Sequence, residues 1–471
     1  MFSSGNDNKF DLITIGGGAA GFAAVIKADS LGTKTLMVNS GLPMGGTCVN
    51  VGCVPTKFLL EVARNFYQAK NSHFESLKIS AEVDFTQVME EKDQLVNILR
   101  KSNYRDVLEN LPNVTYKKGK ARFLSEKEIE VAGEKYSADK FIISTGSSPK
   151  ILPLEGLKEA GFLTNRTALE LNKLPQSLLV IGAGPIGLEF AQIFSRFGSK
   201  VFIVEAMPRI LPGTEPVISE RLKKYLEEEG IKIFTGVKVK KVNAGNGKIV
   251  EIENKEDMVS LEVEEILLAA GVVGNSQNLG LEKLGIEVDK NGFIRVNEYL
   301  QTPIPHIYAA GDIMGAPLLE TVAAKEGNIA ARNALSKEKI IMGYKNIPYA
   351  VFTSPQVVSV GMTEEEYMSE YGTCLCRKVE MERVPKVKAI KETKGLIFMV
   401  IGHKDSKIKG VHILSELASE IIHEAALGIR QGLTIDEIID MVHIFPTFSE
   451  AIKISAQAFK HDPRRMSCCV E

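Results

Sequence analysis

Two copies of one short pattern constrain this chain more than any other feature. The first is KFDLITIGGGAAGFAAVIKADSLG, in which the apolar run FDLITI reads as a buried strand and leads into Gly16-x-Gly18-x-x-Gly21 and an alanine-rich helical stretch. The second, QSLLVIGAGPIGLEFAQIFSRFGSKVFIVE, repeats that order through Gly182, Gly184 and Gly187 about 165 residues later. Glycines between a strand and a helix let the backbone approach a pyrophosphate, which then sits at the helix N-terminus. Two such units in one chain predict two nucleotides, one a bound flavin and the other an exchangeable nicotinamide. The strand after the first unit ends in Asn39, where such folds usually carry Asp or Glu for the ribose hydroxyls; Asn can still accept and donate hydrogen bonds there. The strand after the second ends in Glu205. A carboxylate there bonds a free 2′-hydroxyl and repels a 2′-phosphate by about 3 kcal/mol per unit charge at roughly 5 Å and an effective dielectric near 20. NADH is therefore favoured over NADPH, with Arg209 near enough in sequence to soften the preference.

The rest of the chain is compatible with a soluble enzyme. At 471 residues it has length for about three domains. A net charge of −2 gives no reason to expect nucleic acid or an anionic membrane surface as partner. No apolar run reaches the ~18 residues of a membrane span. The start, MFSSGNDNKFD, has no export signal, so a cytoplasmic location is expected. Six cysteines are too few for a disulfide scaffold, yet they fall as three close pairs: Cys48 with Cys53, Cys374 with Cys376, and Cys468 with Cys469. In a reducing compartment such pairs point to redox or metal chemistry.

The segment GGTCVNVGCVPTK, residues 45–57, holds the first pair and resembles the pyridine nucleotide–disulfide oxidoreductases, such as glutathione reductase, dihydrolipoamide dehydrogenase and mercuric reductase. The resemblance covers essentially the whole chain. It implies an α/β protein with two Rossmann-like dinucleotide-binding domains and an α+β C-terminal dimerisation domain, working as a homodimer with FAD and NADH or NADPH. On that basis residues 1–148 and 275–345 form the flavin-binding domain, 149–274 the nicotinamide-binding domain and 346–471 the interface domain. It also implies that Cys48 is the outer thiol that meets substrate and Cys53 the inner thiol against the flavin. Lys57 then lies near the reactive flavin nitrogen, paired with Glu189. A helix N-terminus and a nearby cation lower a thiol pKa, which agrees with this assignment. IISTGSSP, with Thr145 and Gly146, resembles the family's crossover between nucleotide domains, and TPIPHIYAAGD ends in Asp312, the expected partner of the ribityl chain. Thr47 and Ala121 join the flavin contacts by the same resemblance. LLAAGVVGN, with Gly271, matches the exit from the nicotinamide domain, with Val272 where an Arg is often found.

Disulfide-handling members carry a His-Pro-Thr-x-Ser-Glu motif whose His, supplied across the dimer, is the general acid–base and whose Glu orients it. Here the segment is HIFPTFSEAIKISAQAF; aligning Pro446, Thr447 and Glu450 puts Phe445 at the His position, and His443 two residues earlier matches a non-catalytic one. Phenylalanine transfers no proton. Mercuric reductases also lack that histidine, having tyrosine there, and two further features resemble them. The chain ends MSCCVE, like that family's C-terminal metal-binding pair, and RKSNYRDVLENLPNVTYKKGKARF resembles the segment bearing its active-site tyrosine, here Tyr104 on a helix. Hg(II), a soft ion, favours two thiolates. It would arrive as thiol complexes at Cys468 and Cys469 and pass to Cys48 and Cys53 of the other subunit. No Cys-x-x-Cys N-terminal metal domain is present, so the chain is expected to be the catalytic core. Cys374 and Cys376, in GTCLCRK, would share one face of a strand as structural or incidental residues, and the histidines show no ligand spacing. LPGTEPVISERLKKYLEEEGIKIFTG and GVVGNSQNLGLEKLGI look most like the dihydrolipoamide dehydrogenase branch, so a disulfide reductase remains the alternative, with a slow metal-binding or redox-sensing flavoprotein as a third reading.

Overall fold

The computed structural model describes residues 8–245, 247–254 and 257–462. Its first sheet grows from the first glycine unit. Strand β1 (Lys9–Ile15) pairs in parallel with β2 (Thr35–Asn39), joined by helix α1 (Ala19–Ser30). All five residues of β2 are buried, as expected of a parallel strand covered on both faces. After helices α2 (Gly46–Val51), α3 (Cys53–Lys70) and α4 (Phe85–Arg100), strand β3 (Val114–Lys118) adds in parallel to β2. Strand β4 (Ala121–Ser125) and β5 (Glu128–Val131) form an antiparallel hairpin that leads into β6 (Glu134–Ile143), parallel to β1. The other edge of β6 is shared: its first half pairs with β5, and its last three residues with the returning strand Ile307–Ala309. That late strand brings residues from the far side of the sequence to the open ends of β1 and β6.

The second glycine unit opens a four-stranded parallel sheet ordered Lys232–Thr235, Lys200–Glu205, Ser177–Ile181 and Glu265–Leu268. Helix Pro185–Phe197 follows its glycine turn, with proline at its first position, where the missing N–H leaves no bond unmade. A three-stranded antiparallel sheet, 238–244, 248–254 and 257–263, lies against it. The chain enters and leaves this unit through a two-stranded ladder, Ser147–Pro149 against Val272–Gly274. The C-terminal part is a five-stranded antiparallel sheet, with Leu375–Glu380 at one edge, covered by helices Ala418–Gln431 and Glu450–Gln457. The architecture is the mixed α/β arrangement expected. Among the described residues no helix is long and apolar enough to cross a membrane.

Candidate active site

The two glycine turns are the candidate nucleotide sites. Gly16 (φ +129°) and Gly182 (φ +110°) hold conformations that favour glycine, and a Cβ on them would lie 2.1 Å from the Ser144 carbonyl oxygen and 2.4 Å from that of Ala269. Asn39 Oδ1 accepts from Gly17 N at 3.1 Å, and Glu205 Oε2 accepts from Ala183 N at 2.7 Å, so the residue ending each second strand ties down the glycine turn. An amide oxygen serves as well as a carboxylate for that bond, which is why Asn39 is tolerated. Glu205 Oε1 also accepts from Met207 N at 2.7 Å. Arg209, four residues beyond Glu205, donates to the Pro212 carbonyl at 3.0 Å.

A cavity of about 580 Å³ opens above the first sheet. Gly16, Gly18, Asn39, Thr47, Ala121, Thr145, Gly146 and Asp312 all line it, together with Cys48 and Cys53. Gly21 and Lys57 are not in its wall. Gly21 instead packs the helix onto the turn, since a Cβ there would lie 2.0 Å from Gly16 O. Thr145 Oγ1 and Arg166 Nε are buried without a hydrogen-bond partner among the described residues, although both residues line the cavity. Buried polar atoms of this kind are satisfied by a ligand or by water. Burial raises the Asp312 carboxyl, and Ser147 Oγ donates to it at 3.0 Å. A glycine cradle, an orphaned hydroxyl and a carboxylate acceptor fit a dinucleotide with a polyhydroxyl chain.

The cysteine pair stands at the junction of α2 and α3, with Cys53 in the first turn of α3. Cys48 and Cys53 are thiols that hydrogen-bond to each other. The bond from Cys48 and the positive charge of Lys57 bring Cys53 down to about 7 against the opposing effect of burial. The same bond, then burial, pushes Cys48 well above the ordinary thiol range. One thiolate held by its neighbouring thiol is the arrangement a two-electron dithiol needs. Lys57, the next turn along α3, pairs with Glu189 on helix Pro185–Phe197, with Nζ 2.8 Å from Oε2 and 3.1 Å from Oε1. Glu189 is buried and also accepts from Phe352 N at 2.9 Å, so one carboxylate joins all three parts of the chain.

Tyr104 lies in a π-helical turn, Lys101–Arg105, that continues α4, rather than in a regular helix. Its ring stands edge-on to Phe22 at 4.9 Å. Burial, then the charges of Cys48, Glu320 and Cys53, push its hydroxyl up to about 12. Glu320, which the sequence reading missed, lines the cavity at the start of helix Glu320–Leu335 and opposes ionisation of both thiols. Arg166 and Asn275 were missed as well: Arg166 approaches Ser148 Oγ at 3.3 Å, and Asn275 donates to Thr145 O at 2.8 Å.

Phe445 and Glu450 are not brought to the cysteine pair within the chain. Phe445 is 56% exposed in a segment with Val442 at 92% and Ile444 at 81%. Glu450 Oε2 accepts from Thr447 N at 3.1 Å, and His443 is engaged by Glu424 at 2.9 Å. Gly271 borders the two-stranded ladder, its carbonyl accepting from Lys150 N at 2.9 Å. Gly184 has open space at its Cβ position, while Gly187 packs against Gly182. Cys468 and Cys469 lie outside the described residues.

Residues 10–327 match the family described as pyridine nucleotide-disulphide oxidoreductase, and residues 347–456 match the dimerisation domain of that family. The chain is 36% identical over 468 residues to a mercuric reductase of Staphylococcus aureus, covering 98% of this chain and 85% of the relative. It is 35% identical over 472 residues to a mitochondrial dihydrolipoyl dehydrogenase of Pisum sativum, covering 98% and 93%. Among solved structures it is similar to the HOCl-induced flavoprotein disulfide reductase RclA of Escherichia coli, with a TM-score of 0.86, 26% identity, and 95% and 99% of the two chains covered.

Proposed function

The chain belongs to the pyridine nucleotide-disulphide oxidoreductases, a family that uses FAD and NAD(P)H, and from that footing we propose that it reduces Hg(II) to Hg(0). The balance is one NAD(P)H and one Hg(II) giving NAD(P)⁺, a proton and Hg(0). The flavin, when bound, supplies two-electron transfer between the nicotinamide and the Cys48–Cys53 pair. Gly16, Gly18, Thr145 and Asp312 hold it, and Gly182, Gly184 and Gly187 take the nicotinamide nucleotide. Cys48 and Cys53 together offer Hg(II) two sulfur ligands, and softness matching favours that pair over oxygen or nitrogen donors. Lys57 keeps Cys53 as the thiolate, and Glu189 keeps Lys57 in place. Tyr104, close enough to sense both thiols, bounds the metal's path. In a homodimer, Cys468 and Cys469 of one subunit deliver the metal to the pair of the other by thiol exchange.

One observation carries this choice of substrate. Where disulfide-handling relatives present a histidine to the substrate thiol, this chain presents exposed Phe445, and His443 two residues earlier is already engaged by Glu424. A disulfide leaving group needs a proton that phenylalanine does not supply, whereas a metal ion taking up two electrons needs none. Steady-state NADH oxidation tests it, with Hg(II) in excess thiol set against lipoamide. Hg(II) should turn over well and lipoamide poorly. Lipoamide turnover matching that of Hg(II) would move the assignment to the dihydrolipoyl dehydrogenase side, to which the chain is similarly close in identity.

A further inference from the structure

A second group of sulfur and carboxylate side chains lies among residues the redox chemistry does not use. Cys374, Cys376 and Glu364 place one potential ligand atom each so that all three lie within 4.8 Å of one another, and they are the group of this kind among the described residues. Cys376 lies in the edge strand Leu375–Glu380, and Cys374 immediately precedes it. Residues two apart on extended chain point to the same side, which brings both sulfurs together. Glu364 comes from a different element, the first turn of helix Glu364–Tyr371. The helix start is fixed by a capping box between Thr363 and Glu366, and the Glu364 N–H donates to the buried carboxylate of Glu215. Cys376 Sγ already donates to Glu364 Oε1 at 3.0 Å.

We propose that Cys374, Cys376 and Glu364 form a Zn(II) site that pins the edge strand of the interface sheet to helix Glu364–Tyr371, with water as fourth ligand. Two thiolates and a carboxylate form a mixed set that suits Zn(II), which takes sulfur and oxygen alike; Cu(I) and Hg(II) gain little from the carboxylate. Tetrahedral Zn(II) with bonds of about 2.3 Å separates two sulfurs by roughly 3.8 Å, a spacing that falls within the 4.8 Å span of the group. All three residues are half-buried, which leaves room for solvent at the fourth position. A Cys374–Cys376 disulfide is the competing use of these sulfurs, but it leaves Glu364 without a role. The benefit to the fold is specific: an edge strand paired with one other strand, Leu396–Ile401, gains a metal bridge to the helix in place of the Cys376–Glu364 hydrogen bond.

The test uses the full-length FAD-bound protein with Cys48→Ser, Cys53→Ser, Cys468→Ala and Cys469→Ala, so that only Cys374 and Cys376 remain as thiols. Titration with Zn(II) against a chromogenic chelator should find one tight Zn(II) per chain. Cobalt(II) in its place should give tetrahedral visible bands and sulfur-to-cobalt absorbance. Adding Cys376→Ser should abolish both. Glu364→Gln should weaken Zn(II) by about tenfold or more, the range that loss of even an outer partner costs a metal site. Should the multiple variant lose its FAD, wild-type protein against Cys376→Ser decides by a difference of one equivalent. The proposal is overturned by Zn(II) binding that Cys376→Ser leaves unchanged, by no binding, or by a Cys374–Cys376 disulfide in protein isolated with its thiols trapped.

Discussion

At the residue scale the active site is a contest over one proton. Cys53 is held down to about 7 by the Cys48 hydrogen bond and by Lys57, while burial and Glu320 oppose ionisation. A thiol with a depressed pKa is a thiolate above that value and is lost as pH falls through it. The long-wavelength flavin absorbance that a thiolate produces on two-electron reduction should therefore be half developed near pH 7. Lys57→Met should move that midpoint up and Glu320→Gln should move it down. Cys53→Ser should remove the band and Cys48→Ser should keep it; a band surviving in Cys53→Ser would exchange the roles of inner and outer thiol. The second residue-scale expectation concerns Phe445. General acid–base catalysis is worth about 10²–10⁴-fold, so Phe445→His should raise lipoamide turnover by up to that range and leave Hg(II) turnover little changed. Lipoamide turnover unaffected by the new histidine would show that the proton relay is not what excludes disulfides.

At the scale of elements, helix–helix approach around the cavity above the first sheet is set by small residues. A Cβ on Gly327 would lie 2.0 Å from Ala20 O, where helix Glu320–Leu335 crosses α1. Overpacking of this kind costs about 1–3 kcal/mol. Gly327→Ala should lower the temperature at which FAD is released, whereas Gly343→Ala, with nothing within 4 Å, should not. The strand–turn–helix units and the cysteine segment were legible in the sequence because their chemistry is local: glycines at fixed offsets, apolar runs and paired thiols within a few residues. Asn39 and Glu205 were legible by position, although their bonds to the glycine turns were not. Glu320, Arg166 and Asn275 had no such signal, since they reach the cavity through the late strand Ile307–Ala309 and the two-stranded ladder, contacts of long sequence separation. Tyr104 was legible as a residue, but not the π-helical turn that carries it, because that turn has no distinguishing residue pattern. The carboxylate beside Cys374 and Cys376 comes from the neighbouring helix, twelve residues before Cys376, and no residue pattern marks that approach.

For the whole molecule, the proposed Hg(II) chemistry requires a metal bound to cellular thiols to reach a pair set in a cavity. The interface part leaves Leu427, Val442, Ile444 and Phe445 exposed, and all four lie within the segment matching the family's dimerisation domain. The delivery proposed above takes the dimer to pair through that surface, with Cys468 and Cys469 of one subunit serving the cysteine pair of the other. Replacing Cys468 and Cys469 with Ala should then leave FAD content, dimer mass and flavin reduction by NADH intact, because the glycine cradle, Asp312 and the cysteine pair lie elsewhere in the chain. It should slow reduction of Hg(II) presented as a thiol complex, since exchange of one thiolate for another needs an incoming thiolate. Loosely ligated Hg(II) halides can reach Cys48 and Cys53 directly, so the same variant should lose less activity with them. The ratio of the two rates, not either rate alone, reports the delivery step, because a general defect would lower both together. An unchanged ratio, with thiol-bound Hg(II) reduced at the native rate, would remove the tail from the mechanism and return weight to disulfide reduction.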